Sequence, residues 1–194
     1  MLHILALSRS AVLVRHWFEI NLDDASMEHG ARIELRELAK PPHRGSESAA
    51  QVISADRPLW RADLFDRLTD RAGSFGAAHY HPGFSGNEPS GRAWDPALIA
   101  DPWSWLGDQL TGRAGAPGGA SGRLDPEDAA ELRGLAAEVV TLAQRFGPAR
   151  CGSSAECFRL TRDVRETVLL MVECLREPRM LDADWVRPWT AAAA

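Results

Sequence analysis

Ala31-Arg32-Ile33-Glu34-Leu35-Arg36-Glu37-Leu38 decides the reading of this chain, because apolar and charged side chains alternate through residues 31–36. Successive side chains of a strand project to opposite faces. The segment is therefore a strand with Ala31, Ile33 and Leu35 on one face and Arg32, Glu34 and Arg36 on the other. Before it, Asp23-Asp24-Ala25-Ser26-Met27-Glu28-His29-Gly30 reads as a polar loop ending in glycine. After it, Lys40-Pro41-Pro42-His43-Arg44-Gly45-Ser46 breaks any regular element. Residues 2–7, 11–22 and 50–65 carry similar, partly period-two patterns, and a short strand fits 75–81. Strands joined by such connections pair as antiparallel neighbours, which predicts a sheet of four or five strands.

The second half changes period. Residues 71–102 hold many glycines and prolines, and read as a short strand followed by an extended loop that Phe84, Trp94 and nearby Trp103 and Trp105 pack down. Residues 111–123 are rich in Gly, Ala and Ser, as in a flexible linker. Asp125 then reads as a helix cap, with Pro126 at the first helical position and Glu127 and Asp128 on the positive end of the dipole. Leu132, Leu135, Val139, Leu142 and Phe146 form one apolar stripe, stopped by Gly147-Pro148. A second helix is expected from about Ser154 to just before Pro178. The expected fold is α+β: an N-terminal antiparallel sheet, a Gly/Pro-rich loop, and a C-terminal helical hairpin packed on the sheet. Residues 1–110, 111–123 and 124–194 are sheet, linker and hairpin with tail, together one compact domain.

Bulk composition narrows the function classes. The 194 residues are 45% hydrophobic and 25% charged, ordinary for a globular protein. With a net charge of −5 and arginines interleaved with carboxylates, nucleic acid is not an expected partner. No apolar run is long enough to span a bilayer, so no membrane partner is expected either. Three cysteines, Cys151, Cys157 and Cys174, do not make a disulfide framework. The start lacks the marks of a signal peptide, and a cytoplasmic location is expected. Lys40 is the only lysine among 22 basic residues, which fits a GC-rich bacterial genome.

Two features could carry chemistry. In an extended His79-Tyr80-His81 the two imidazoles share a face, where they can converge on one metal ion with a neighbouring carboxylate. Glu34, Asp63 and Glu88 are the candidates to complete the set, with His16 as an outsider. Two histidines and a carboxylate suit zinc or non-haem iron. Residues 76–91 resemble in part the first metal motif of the cupin family, a His-x-His pair followed by Glu and Gly. The spacing to Glu88 is longer than that motif's, Pro82 and Pro89 interrupt it, and no second motif follows. The resemblance implies only that His79 and His81 are ligands. The alternative is that these histidines hydrogen-bond within a buried loop.

The second feature is the charged sheet face: Arg15 and Glu19, then Arg32, Glu34 and Arg36, then Arg61 and Asp63. Under a covering loop the arginines would clamp a small anionic ligand, with Trp60 beside them; as the outer face of a sandwich they would be ion pairs in water. Among the cysteines, Cys151 has the most reactive setting, without a histidine to partner it. Three functions follow as expectations. One is an enzyme or small-molecule-binding protein whose site lies between the sheet and residues 71–102, with His79, His81, Asp63 and Glu34 as candidate catalytic or metal-binding groups. The others are a non-catalytic binder of an anionic metabolite through Arg15, Arg32, Arg36 and Arg61, and an interaction module, homodimeric through the hairpin and the Trp185–Trp189 tail.

Overall fold

A computed structural model describes residues 2–20, 27–39, 53–67, 69–112 and 119–147. The chain divides into two units, 1–150 and 151–194. The second helix of the expected hairpin, the cysteines and the tryptophan tail lie outside the described residues.

Five antiparallel strands run in chain order across one sheet: β1 (Leu2–Ala6), β2 (Ser10–Ile20), β3 (Met27–Ala39), β4 (Ser54–Arg67) and β5 (His79–His81). A small hairpin, β6 (Phe84–Ser85) with β7 (Glu88–Pro89), follows. The helices are α1 (Pro96–Ala100), α2 (Pro102–Thr111) and α3 (Pro126–Gln144), with a 3₁₀ turn at Ala120–Arg123. The fold is α+β, an antiparallel sheet followed by helices.

The period-two pattern of β3 does what it dictates. Its apolar face joins Val12 and Val14 of β2 and Trp60, Ala62 and Leu64 of β4 in one core. Trp105, Leu106 and Leu110 of α2 and Leu132 and Val139 of α3 belong to the same core. Full burial of each large aliphatic side chain stabilises by roughly 1.5–3 kcal/mol. Trp60 is fully buried there and stacks on Trp105 at 6.2 Å between ring centroids. Alternation thus sends Trp60 away from Arg61 and Asp63, and it is a core residue rather than a neighbour of the charged face.

Three Asp-Pro pairs start the three helices. Asp95, Asp101 and Asp125 accept hydrogen bonds from the backbone N–H groups of Ala97, Ser104 and Glu127, each with proline in the first turn. The expected helix at 126 follows this grammar. So do α1 and α2, where glycine and proline content points to an extended loop. Pro96 and Pro102 do not break these helices but open them, since proline at the first helical position costs no hydrogen bond. α2 stops at Gly112, whose φ of 74° is left-handed.

Two further departures concern β3 and Asp128. The strand begins at Met27, so Glu28, His29 and Gly30 are strand and not loop. A Cβ on Gly30, whose φ is 155°, would stand 2.2 Å from the Leu64 carbonyl oxygen of β4. Only glycine lets the two strands approach there. Asp128 does more than complement a dipole. It is buried and accepts hydrogen bonds from Ser10 Oγ (2.6 Å) and the Arg9 backbone N–H (3.1 Å), fastening the β1–β2 turn to α3.

Candidate metal centre

The register of the sheet assembles the site. Arg32 of β3 faces Asp63 of β4, which faces His79 of β5; one row along, Glu34 faces Arg61, which faces His81. Beyond Arg15 and Arg32 the same face continues with Trp17, Gly30 and Phe65 in register. The charged face is therefore one surface, as alternation requires.

It is not a solvated surface. Asp63 is 0% exposed, His79 0%, Arg32 3%, His81 4% and Glu34 6%. Burying such groups is tolerated only when each charge is compensated. Arg32 supplies most of that compensation: its Nε donates to Asp63 Oδ1 at 2.6 Å and its Nη2 to Asp63 Oδ2 at 3.0 Å and Glu19 Oε1 at 2.7 Å. Its guanidinium also lies 4.7 Å from the Trp17 ring centroid and 5.5 Å from that of Phe65. Burial pushes the Asp63 carboxyl upward, but the His79 ring, when its Nε2 carries a proton, and the Arg32 guanidinium prevail and hold it at about 2. Asp63 is a carboxylate at any physiological pH.

Each imidazole is locked by a backbone carbonyl. His79 Nδ1 lies 2.8 Å from Ala77 O and His81 Nδ1 lies 2.6 Å from Ser90 O. A carbonyl can only accept, so both Nδ1 atoms carry hydrogen and both Nε2 atoms are turned towards Asp63. His79 Nε2 lies 3.3 Å from Asp63 Oδ2 and His81 Nε2 lies 3.9 Å from it. His79 Nε2 is buried without a hydrogen bond. A neutral imidazole would aim a lone pair at a carboxylate oxygen, an arrangement that needs a proton or a cation between them.

The carbonyls are themselves held in place. Asp66, buried on the opposite face of β4, accepts from the backbone N–H groups of Gly73 and Phe75. This fixes the turn in which Phe75 takes a left-handed φ of 52° and from which Ala77 presents its oxygen. On the other side, Ser90 N donates to Gly83 O at 2.9 Å, closing the β6–β7 hairpin behind His81.

The Asp63, His79 and His81 group could hold a metal ion, its donor atoms lying within 4.8 Å of one another. Zinc bonds of ~2.0–2.1 Å put tetrahedral donors on the order of 3.3 Å apart, so His79 and Asp63 are already spaced for it. Nδ1–H to carbonyl bonds are the usual outer contacts of ligating histidines.

The remaining sequence candidates take four positions. Glu88 is exposed on β7 and outside the group, and Asp63 stands where a carboxylate is needed. Glu34 lies between Arg15 (3.6 Å) and Arg36 (3.2 Å). His16 is on the helix-side face, its Nε2 3.4 Å from His29 Nδ1; desolvation and then His29 lower it to about 4. Arg61 bridges the group, its Nη2 2.9 Å from His81 Nε2 and its Nε 3.0 Å from Asp63 Oδ2. Trp17, Phe65 and Arg92 were not anticipated. Trp17 and Phe65 carry the strand parity of Arg15 and Asp63, which was the available signal; Arg92, paired with Glu19 (3.1 Å) and Glu28 (3.1 Å), comes from a loop with none.

No family model, curated protein or solved structure matches this chain. Among the described residues, no helix is long and apolar enough to cross a membrane.

Proposed function

We propose that this protein is a metal-dependent enzyme or small-molecule-binding protein, with Asp63, His79 and His81 as the ligands of a divalent zinc or iron ion. One observation carries the reading: both histidines have Nδ1 pinned by backbone carbonyls, which turns both Nε2 atoms onto one carboxylate oxygen. Three protein donors are the pattern of a site that keeps a position for substrate or water, whereas structural zinc sites close with four. A bound ion would supply Lewis acidity or an activated water. The chain's own part is to orient the donors, through Ala77 and Ser90, and to keep Asp63 ionised, through Arg32.

Metal content and zinc affinity of untagged protein test this, beside His79→Ala and Asp63→Asn. The expected result is one bound equivalent in the wild type and affinity lower by about tenfold or more in each variant. Near-zero metal in all three would leave a proton between His79 and Asp63 and end the metal reading.

A second reading has its own observation. Arg15, Arg32, Arg36 and Arg61 face Glu19, Glu34 and Asp63, and the Nε atoms of both Arg15 and Arg61 are buried without a hydrogen bond. A guanidinium excess of this kind suits a small anionic ligand bound without metal. Thermal stabilisation of metal-free protein by organic acids or phosphate, lost in Arg61→Ala, would favour it.

A further inference from the structure

Arg32 and Arg61 both touch Asp63, yet they are held very differently. Arg32 has two hydrogen bonds to Asp63, a third to Glu19, two aromatic rings against it, and a side chain only 4% exposed. Arg61 is 13% exposed on its side chain, and its Nε meets Asp63 at 3.0 Å without forming a hydrogen bond. The hydrogen bond that its guanidinium does make runs from Nη2 to His81 Nε2 at 2.9 Å.

That bond uses the lone pair His81 would need as a ligand. Nδ1–H is committed to Ser90 O, so His81 has a single acceptor site, and it serves either Arg61 or a cation. Binding at His81 therefore requires Arg61 to leave. The released guanidinium then stands beside a dication, in a face where Arg15, Arg32, Arg36, Arg61 and Arg92 already outnumber Glu19, Glu28, Glu34 and Asp63 by one. Like charges so close in a water-poor setting repel strongly. A bidentate oxyanion relieves this, because the guanidinium fork matches two oxygens of a carboxylate or phosphate.

We infer that the metal centre takes a small oxyanion as its ligand, with Arg61 moving from His81 Nε2 to clamp it. Metal and anion then bind with positive coupling, and Arg61 is the part that couples them. This rests on the metal reading above. It differs from the metal-free alternative in that Arg61 is free for the anion only when His81 is engaged elsewhere.

Cobalt(II) titration of the full chain, followed by its visible absorption, tests the inference in chloride buffer and then with millimolar acetate or inorganic phosphate. In the wild type, one of the anions should tighten cobalt binding by about fivefold or more and change the band shape. Corrections for cobalt complexed by the anion in solution come from the same titration without protein. Arg61→Gln should bind cobalt at least as tightly as wild type without anion, since the competing donor is gone, and should show no anion effect. Cobalt binding that depends on His79 but ignores both anions would overturn the coupling while leaving the metal site standing. Arg61→Gln binding more weakly than wild type in chloride would equally overturn it. No cobalt bound by the wild type would remove both the site and the inference. Absence of an anion effect in the wild type overturns the coupling by itself. Arg61→Lys, which keeps the charge but lacks the bidentate fork, tests the role of Arg61 if Arg61→Gln does not fold. An anion effect as large as wild type in Arg61→Lys would overturn the clamp.

Discussion

Replacing Asp63 by asparagine keeps the shape of the side chain and removes its charge from the centre of the polar face. In the wild type the carboxylate accepts two hydrogen bonds from Arg32, at 2.6 and 3.0 Å, and is 0% exposed. The carbonyl of the new asparagine can still accept from Arg32 Nε, but its amide must then face Arg32 Nη2 and Arg61 Nε, donor against donor. Arg32 keeps Glu19 at 2.7 Å, so its charge is not wholly abandoned. Breaking one partner of a buried pair costs about 3–5 kcal/mol, and the surviving Glu19 contact sets the expectation near the lower end, about 3 kcal/mol. With a urea m-value of about 2 kcal/mol/M, the unfolding midpoint of metal-free protein should fall by about 1.5 M. Glu37→Gln is the control, because the Arg57–Glu37 pair is 59% and 44% exposed and its loss should leave the midpoint in place. A fall of less than about 0.5 M in Asp63→Asn would mean that the Arg32–Asp63 pair behaves as a solvated surface bridge. The burial argument for the whole site would then fail.

Two smaller predictions follow from the same sheet. Gly30→Ala places a Cβ against the Leu64 carbonyl at 2.2 Å, side chain against backbone with no flexible group to yield, at a φ of 155°. Loss of stability of about 2–4 kcal/mol is expected, read by thermal or urea unfolding; an unchanged melting temperature would contradict the close approach of β3 and β4. His16 is exposed at the sheet surface yet crowded by its surroundings and by His29, and its ring-proton NMR titration should fall below the usual 6.5, towards about 4. The sign is that of a histidine favoured neutral in the fold: its contribution is fully present above the usual 6.5 and is lost as pH falls through about 4. A titration midpoint above 6 would refute the desolvation of His16 and, with it, the influence of His29.

Local sequence chemistry determined much of this protein. Alternation at Arg32, Glu34 and Arg36 fixed a strand and its two faces, because the pleat has a period of two whatever surrounds it. Asp125-Pro126 fixed a helix start, because capping needs only neighbouring atoms. Asp95-Pro96 and Asp101-Pro102 carried the same signal and were obscured by surrounding glycines and prolines. His79 and His81 shared a face on the same grounds, with Asp63 among three carboxylates that could join them.

Only the tertiary structure decided between those carboxylates, because the choice depends on register: β4 pairs with β5 so that Asp63 meets His79, while Glu88 turns away on its own hairpin. Alternation already set Trp60 on the face opposite Arg61 and Asp63; packing against Trp105 of α2 made that face the core. The burial of the charged face was beyond local reading too. The same alternating Arg and Glu suits a wet outer surface or a packed one, and the difference lies in partners distant in sequence: Glu19 and Trp17 of β2 against Arg32, and Asp66 supporting the turn that carries Ala77. Sequence placed two imidazoles side by side. Their convergence on a buried, ionised Asp63, with both Nδ1 atoms tied back, exists only once five strands have come together.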